Sequence, residues 1–369
     1  MYIVSVFLFF SLFFRKETQN MAKPFPILGF DVGGTKVAVS LVLSDGTLVA
    51  SARVPNKERE PDDVLPAMVS AGKSLLADAG LTRDDLKAVG VCTPSPLDFK
   101  NGIVMAPSNL KKWKHVPIRD YLADAFGVRA FFDNDSNASG LAEWLFGSGV
   151  GAQDMLYISI STGIGAGVIA NGRLVRGATC DAGEVGHMVL DANGPLCNCV
   201  LRGCWEAFSG GRAIAQRMQR ELANSPNSAV VQLAGGVVEN IDMKTLSDAV
   251  EANDPYACAI WDEMMERHAQ AIGMLHNIFN PSIIALGTIA IQCGDLFMKP
   301  LLERVKKYGW KQPREACSIV PGKLGPKLGE YAGAAVALYA LHEIGEWELP
   351  WSAECTAVSP ELYHEQIQR

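Results

Sequence analysis

The chain has 369 residues, 49% hydrophobic and 20% charged, which supplies apolar material for about two domains and is far too much for a disordered polymer. With 40 Asp+Glu against 33 Lys+Arg and a net charge of -7, it has no general attraction for polyanions, and no nucleic-acid partner is expected. Nine cysteines, an odd and unevenly spread set, argue against a secreted disulfide framework and for a reducing cytoplasmic location.

In chain order, Met1 to Phe14 is almost wholly apolar but falls short of the ~20 residues a bilayer span needs. It has no basic start and no small-residue cleavage site, and Arg15 and Lys16 follow the apolar run rather than precede it. Residues 1–22 are therefore expected to be a non-domain extension without stable membrane association. From Ile27 the reading becomes strand (Ile27–Phe30), glycine turn (Gly33 to Lys36), strand (Val37–Leu43), turn (Asp45-Gly46) and strand. The same order recurs at Leu156–Ile160, Ser161 to Gly165, Ala166–Ala170, Asn171-Gly172 and Arg173–Val175, an internal repeat that predicts two similar α/β lobes. Between the repeats lie a helix (Asp62–Ala79), a strand (Ala88–Cys92), a Pro-rich loop, a helix (Ile118–Phe126) and a strand (Arg129–Phe132). A helix from about Ala138 to Phe146 follows. Beyond residue 205, helices are expected at Arg212–Leu222, Met243–Ala252, Tyr256–Phe279 and Gly333–Leu341, with strands at Ile283–Leu286 and Cys317–Val320. The expected division is a small lobe over 23–133, completed by the C-terminal helix at about 330–345, a large lobe over 134–329, and a tail over 346–369.

Four constellations carry chemistry. Asp31 beside Gly33-Gly34-Thr35-Lys36 sets a carboxylate next to a turn whose N–H groups can approach a phosphate and its metal ion, although such turns also serve simply to reverse a chain. Neither G-x-x-x-x-G-K-[ST] nor a helix-opening G-x-G-x-x-G occurs, which disfavours P-loop and dinucleotide enzymes. A second turn, Ser161-Thr162-Gly163-Ile164-Gly165, would grip a polyphosphate from the other side. Asp133-Asn134-Asp135-Ser136-Asn137 ends a strand where ligands bind in open α/β sheets; Ser136 or Asp135 could cap the helix that follows, and Asp135 is the candidate general base. His187, Cys197, Cys199 and Cys204 form a four-ligand set of the type a closed structural zinc takes, against the alternatives of buried thiols or a C-x-C redox pair. Glu184 and Glu206, at the ends of that loop, would be rigid acceptors for the hydroxyls of a polyol if a metal pinned it.

These residues together resemble the ROK family (repressor, open reading frame, kinase), and within it the glucokinase-like sugar kinases. The resemblance runs from about Ile27 to Leu341, through Leu28 to Lys36, Asn134 to Ala138, Ser161 to Gly167, Glu184 to His187, Cys197-Asn198-Cys199 and Gly203 to Glu206. It implies an actin-like ATPase (RNase H-like) fold, two lobes around a central cleft with a zinc loop in the larger, ATP with Mg²⁺, structural Zn²⁺, a hexose substrate and a homodimer. It implies that Asp135 is the base, that Asn109, Asn134, Glu184, His187 and Glu206 contact the sugar, and that Asp31, Gly33, Gly34, Thr35, Lys36, Thr162, Gly163, Gly165 and Gly287 meet ATP and Mg²⁺. Three positions depart from the family pattern: Ser95, Val200 and Thr288 stand where glycine is usual. The expected activity is a glucokinase-like transfer of the ATP γ-phosphoryl to a sugar 6-hydroxyl. N-acetylmannosamine, N-acetylglucosamine or fructose are the alternative acceptors. A sugar-responsive regulator is disfavoured because fewer than thirty residues, mostly apolar, precede the glycine hairpin that starts at Ile27, where a repressor would carry a winged helix-turn-helix.

Overall fold

The computed structural model describes residues 23–351. The expectations for 1–22, and for the tail beyond 351, lie outside the described residues.

The first strand, β1 (Pro26–Val32), is apolar on both faces because it ends up in the middle of a sheet. It is followed by β2 (Lys36–Leu43), β3 (Leu48–Pro55), α1 (Pro61–Asp78), β4 (Ala88–Thr93), three short strands β5 (Leu97–Asp98), β6 (Ile103–Met105) and β7 (Lys114–Val116), α2 (Ile118–Phe126), β8 (Ala130–Asn134) and α3 (Asp135–Phe146). The second half runs β9 (Met155–Ile160), β10 (Ile164–Ala170), β11 (Arg173–Leu174), α4 (Trp205–Ser209), α5 (Gly211–Glu221), α6 (Ala229–Leu233), α7 (Met243–Glu251) and α8 (Pro255–Phe279). It closes with β12 (Ile283–Leu286), α9 (Ile289–Cys293), α10 (Asp295–Arg304), α11 (Lys311–Ala316), β13 (Ser318–Pro321) and α12 (Leu328–Glu343). Local chemistry sets several boundaries. Pro61 opens α1 with Asp62 and Asp63 in its first turn, Gly127 stops α2 in the left-handed region, and α8 starts at the Asp254 cap and stops at left-handed Asn280.

The strand order is β3-β2-β1-β4-β8 in one sheet and β11-β10-β9-β12-β13 in the other. In each, three antiparallel strands are extended by two parallel ones, so the sequence repeat corresponds to a repeated sheet topology. The small sheet β5-β6-β7 was not expected, since strands of two or three residues carry no readable period.

The core is layered. Leu28, Phe30, Val39 and Leu41 on one face of the first sheet pack under α1 and α2. Leu156, Ile158 and Val168 face α5, α7, α8 and α10 on the far side of the second. Between the sheets, Ile27, Val42, Ala88 and Cys92 of the first share one cluster with Met155, Tyr157, Ile169 and Ala285 of the second, and α3 and α12 fill the space. Helix α12 is Ala-rich and buried from Ala332 through Tyr339, as a helix sandwiched on all sides must be. It sits so close to β1 and β4 that only glycine fits at the contact. A Cβ at Gly90 would overlap the Gly333 carbonyl oxygen, and one at Gly29 would stand 2.6 Å from the Ala334 nitrogen. Gly90→Ala is therefore expected to lower unfolding free energy in urea by about 3 kcal/mol, because helix and strand must separate to admit the methyl.

Candidate functional site

The carboxyl ends of the parallel strands β1, β4 and β8 converge on one edge, where ligands sit in open α/β sheets. Asp31 is the second-last residue of β1. The turn that follows is held from outside: Gly33 N–H donates to Lys36 O at 3.0 Å, and Asn56 donates its side-chain N–H to Gly33 O at 2.7 Å. At Gly34 a Cβ would stand 2.6 Å from the Asn109 carbonyl oxygen, so the expected sugar contact and the expected phosphate turn are packed backbone to backbone. Thr35 and Lys36 are exposed beside them.

At the end of β8 the structure corrects one expectation. Helix α3 starts at Asp135, three residues early, and its cap is Asn134, not Ser136 or Asp135. Asn134 is still extended (φ -69°, ψ 149°), and its Oδ1 accepts from Ser136 N at 2.7 Å and Asn137 N at 3.3 Å. Its Nδ2 donates to Ser95 Oγ at 2.7 Å. Asp133, on the other side, is buried and accepts from Asn134 N, Asn137 Nδ2 and Arg176. Of three consecutive polar side chains, then, 133 and 134 are committed to holding the strand–helix junction. Among the described residues the Asp135 carboxylate meets its neighbour Ser136, with the hydroxyl Oγ at a long 3.5 Å. Burial raises the pKa of Asp135, partly offset by hydrogen bonds from Ser136. Burial and, after it, the charge of Asp135 push Asp31 up to about 7, against smaller opposing effects of the Cys92 thiol and Lys36. Two carboxylates at strand ends separated by β4 thus repel one another's charge in the metal-free chain.

The second turn faces the loop with the cysteines. A Cβ at Gly165 would collide with Ser136 Oγ, and one at Gly167 would stand 2.7 Å from Ser136 O, so α3 rests on β10 through glycine. Loop residues Gly183 and Gly186 press on the carbonyls of Ala166 and Ile164 in the same way. Glu206, on the first turn of α4, accepts from Ile164 N at 2.8 Å and lies against Gly163, while Arg212 N donates to Thr162 O at 3.0 Å. Glu184 has its pKa raised by burial, lowered by His187 and raised again by Asp181, Asp135 and Glu206, which puts these groups within reach of one another's charge. Gly287, after β12, lies against the Tyr157 hydroxyl.

His187, Cys197, Cys199 and Cys204 offer ligand atoms that all lie within 4.8 Å of one another. Zinc–sulfur bonds of ~2.3 Å set two sulfurs about 3.8 Å apart around a tetrahedral ion. Here Cys199 Sγ and Cys204 Sγ are 3.6 Å apart, and Cys197 Sγ is 3.6 Å from His187 Nδ1. All three thiols are free, so the set fits the ion rather than a disulfide. The other imidazole nitrogen, Nε2, lies 4.0 Å from Glu184 Oε2, beyond hydrogen-bond distance. Leu190 N to Gly203 O and Cys197 N to Leu201 O, both 2.8 Å, fold the loop. Val200 and Thr288, two of the positions that depart from glycine, keep left-handed backbones at φ +69° and +50°. Each stores about 1–2 kcal/mol of strain that glycine would not.

The residues that sequence reasoning missed are Arg176 and Asn56, together with the contact of Ser95 to Asn134. No motif marks them; each acts by holding a motif residue from a distant segment.

A scan against known families matches the chain to the ROK family over residues 27–340. The chain belongs to the ROK family, within the actin-like ATPase fold. A glucokinase from Thermotoga maritima is 35% identical over 283 residues, covering 76% of this chain and 87% of that one. The ROK hexokinase structure from Thermus thermophilus superposes with a TM-score of 0.75 at 30% identity, covering 87% of this chain and all of that one (100%). A ROK glucokinase from Streptomyces griseus, in complex with glucose and AMPPNP, gives 0.68 at 29% identity over 84% and 98% of the two chains. Xylose repressors also match, that of Bacillus subtilis at 27% identity over 82% of this chain and 75% of its own. Among the described residues no helix is long and apolar enough to cross a membrane.

The Asp31 carboxyl gives a pH signature. Its folded pKa of about 7 lies above the ordinary 3.8, so the native state holds an extra proton between those values. In metal-free protein this group's contribution to stability is complete below about pH 4, declines as pH rises, and is exhausted above about 7. Asp31→Asn should match the parent near pH 4 and exceed it at pH 8 by roughly 1–4 kcal/mol, measured by urea unfolding in chelator.

Proposed function

We propose that this chain is an ATP-dependent hexose kinase of the glucokinase kind, which transfers the γ-phosphoryl of ATP to a sugar 6-hydroxyl with Asp135 as general base. One observation carries the reading: Asp135 is left without a strong partner at the head of α3 while its neighbours are tied down. The Asp135 charge acts on Asp31 and on Glu184, and Glu184 also responds to His187 and Glu206. A raised carboxyl pKa moves the base toward working pH.

We take residues 23–133 with the helix at about 330–345 as one lobe and 134–329 as the other, with the sugar and ATP between them. Asn109, Asn134, Glu184, His187 and Glu206 orient the hexose so that its primary hydroxyl meets Asp135. Glu206 does so through Oε1, since Oε2 already accepts from Ile164. Gly33 and Ile164 spend their N–H groups inside the chain, so phosphate contact falls to Gly34, Thr35, Lys36, Thr162, Gly163 and Gly165, with Gly287 beside the nucleoside. Asp31 would hold Mg²⁺, which supplies charge neutralisation on the β- and γ-phosphates when bound. His187, Cys197, Cys199 and Cys204 would hold a structural zinc that fixes Glu184 and Glu206. Closure of the lobes excludes the water that would otherwise take the phosphoryl group. Asp135 accepts the hydroxyl proton as the new O–P bond forms.

The second reading, a sugar-responsive regulator, draws on the match to xylose repressors. ADP release measured with glucose, mannose, fructose, N-acetylglucosamine and N-acetylmannosamine separates the two: glucose as the best acceptor is expected, and no turnover with any sugar would leave the regulator. Asp135→Asn should keep glucose affinity while lowering kcat by about 10²–10⁴-fold; near-normal turnover removes Asp135 from the role. Cys199→Ser should lose bound zinc, measured by elemental analysis, and weaken glucose binding about 10–100-fold, since the loop it fixes carries both glutamates.

A further inference from the structure

Arg176 lies just beyond β11, in the loop leading to Glu184, and its side chain is 20% exposed. Its Nε and Nη2 donate to Asp133 Oδ2 at 3.0 and 2.8 Å. The other oxygen of that carboxylate, Oδ1, accepts from Asn134 N at 2.8 Å and Asn137 Nδ2 at 2.9 Å. Asp135 is therefore bracketed on both sides by groups that Asp133 holds, and Asp133 is itself held by Arg176. The remaining guanidinium nitrogen reaches Glu343 Oε2 at 3.4 Å, and the planar group lies 5.1 Å from the Phe99 ring centre and 5.4 Å from that of Tyr339. Tyr339 closes the circuit by accepting from Leu174 N at 2.9 Å and donating to Glu343 Oε1 at 3.0 Å. One side chain thus joins the second sheet, the middle helix α12, the loop after β5, and the strand end that presents Asp135.

We propose that Arg176 is a positioning residue for phosphoryl transfer: through Asp133 it sets the first turn of α3, and with it the Asp135 carboxylate, in register with both sheets. The inference rests on Asp135 as the base. A guanidinium is required because two of its N–H groups meet one carboxylate oxygen while its carbon lies over two aromatic rings, a combination a lysine ammonium cannot reproduce. A buried ion pair is by itself weak grounds for a role in stability, since desolvation offsets much of its attraction. Displacement of a reacting group by about 1 Å, by contrast, costs about 10²-fold in rate.

The test compares Arg176→Gln, Arg176→Lys, Asp133→Asn and the Asp133→Asn/Arg176→Gln double variant with Asp135→Asn, on protein shown to be folded by circular dichroism. Glucose and ATP are the substrates, and glucose affinity is read separately by calorimetry. Arg176→Gln is expected to lower kcat about 10–100-fold with glucose KM within about threefold of the parent. The double variant should be no slower than the slower single, because both interrupt one linkage. Arg176→Lys, which keeps the charge and so the fold, should still lose most of the turnover. Parental kcat in folded Arg176→Gln or Arg176→Lys overturns the proposal, as do single effects that multiply in the double. A rise in glucose KM at unchanged kcat overturns it too, since Arg176 would then hold only the loop to Glu184. If Asp135→Asn is inactive while the Arg176 variants turn over normally, this inference alone falls; if Asp135→Asn stays active, the base assignment falls instead.

Discussion

Like charges gathered at the ends of buried strands are the constraint around which the structure is arranged. Asp31, Asp133 and Asp135 occupy the ends of β1 and β8 and the start of α3, where water cannot screen them fully. The chain treats each differently. Asp133 receives a guanidinium and two N–H donors. Among the described residues Asp31 and Asp135 receive no cation of comparable closeness, and both shift toward the protonated form. Even the Cys92 thiol between the strands is pushed up, by burial first and then by the charges of Asp31, Asp135 and Asp133. An electrostatic deficit of this kind is costly to an empty protein and useful to one that receives a metal-bound polyphosphate and a hydroxyl proton.

The second constraint is closeness of backbones. Gly34 on Asn109, Gly167 on Ser136, Gly183 on Ala166 and Gly186 on Ile164 place turn against loop, strand against helix and loop against strand with no side chain between. Such contacts leave little slack, so the metal-type loop, the second glycine turn and α3 behave as one block. Glu206, bonded to Ile164 N, is part of that block rather than a side chain reaching over it.

Most of the regular architecture was legible because its signals are local. Alternation and apolar runs located β1, β2, β4, β9, β10 and β12, and helical period with caps located α1, α2, α7 and α8 nearly to the residue. The repeated strand–turn–strand pattern anticipated the matching sheet orders. The spacing of His187 and the three cysteines anticipated a cluster that closes to metal-binding distances. What could not be read were relations between distant segments. Asn134, rather than Ser136, became the cap because β8 continues two residues past Phe132. Arg176 on Asp133 and Ser95 on Asn134 join residues 43 and 39 positions apart, with no spacing rule to announce them. Val200 and Thr288 show the converse. Neither is a glycine, yet each has a positive φ, so conformation there is dictated by the surroundings.

The burial of α12 between the sheets has a consequence for how the polypeptide is made. The inner face of the first sheet, with Ile27, Val42, Ala88 and Cys92, is covered by a helix that begins at Leu328. Translation at ~5–20 residues per second takes roughly 10–40 s to cross the stretch from β8 to α12. Over that interval the nascent amino-terminal half carries an uncovered oily surface, open to chaperones and to neighbouring ribosomes' products. The last-made helix therefore ends the vulnerability of the first-made strands, and a stop codon ahead of it would release a chain unable to finish either half.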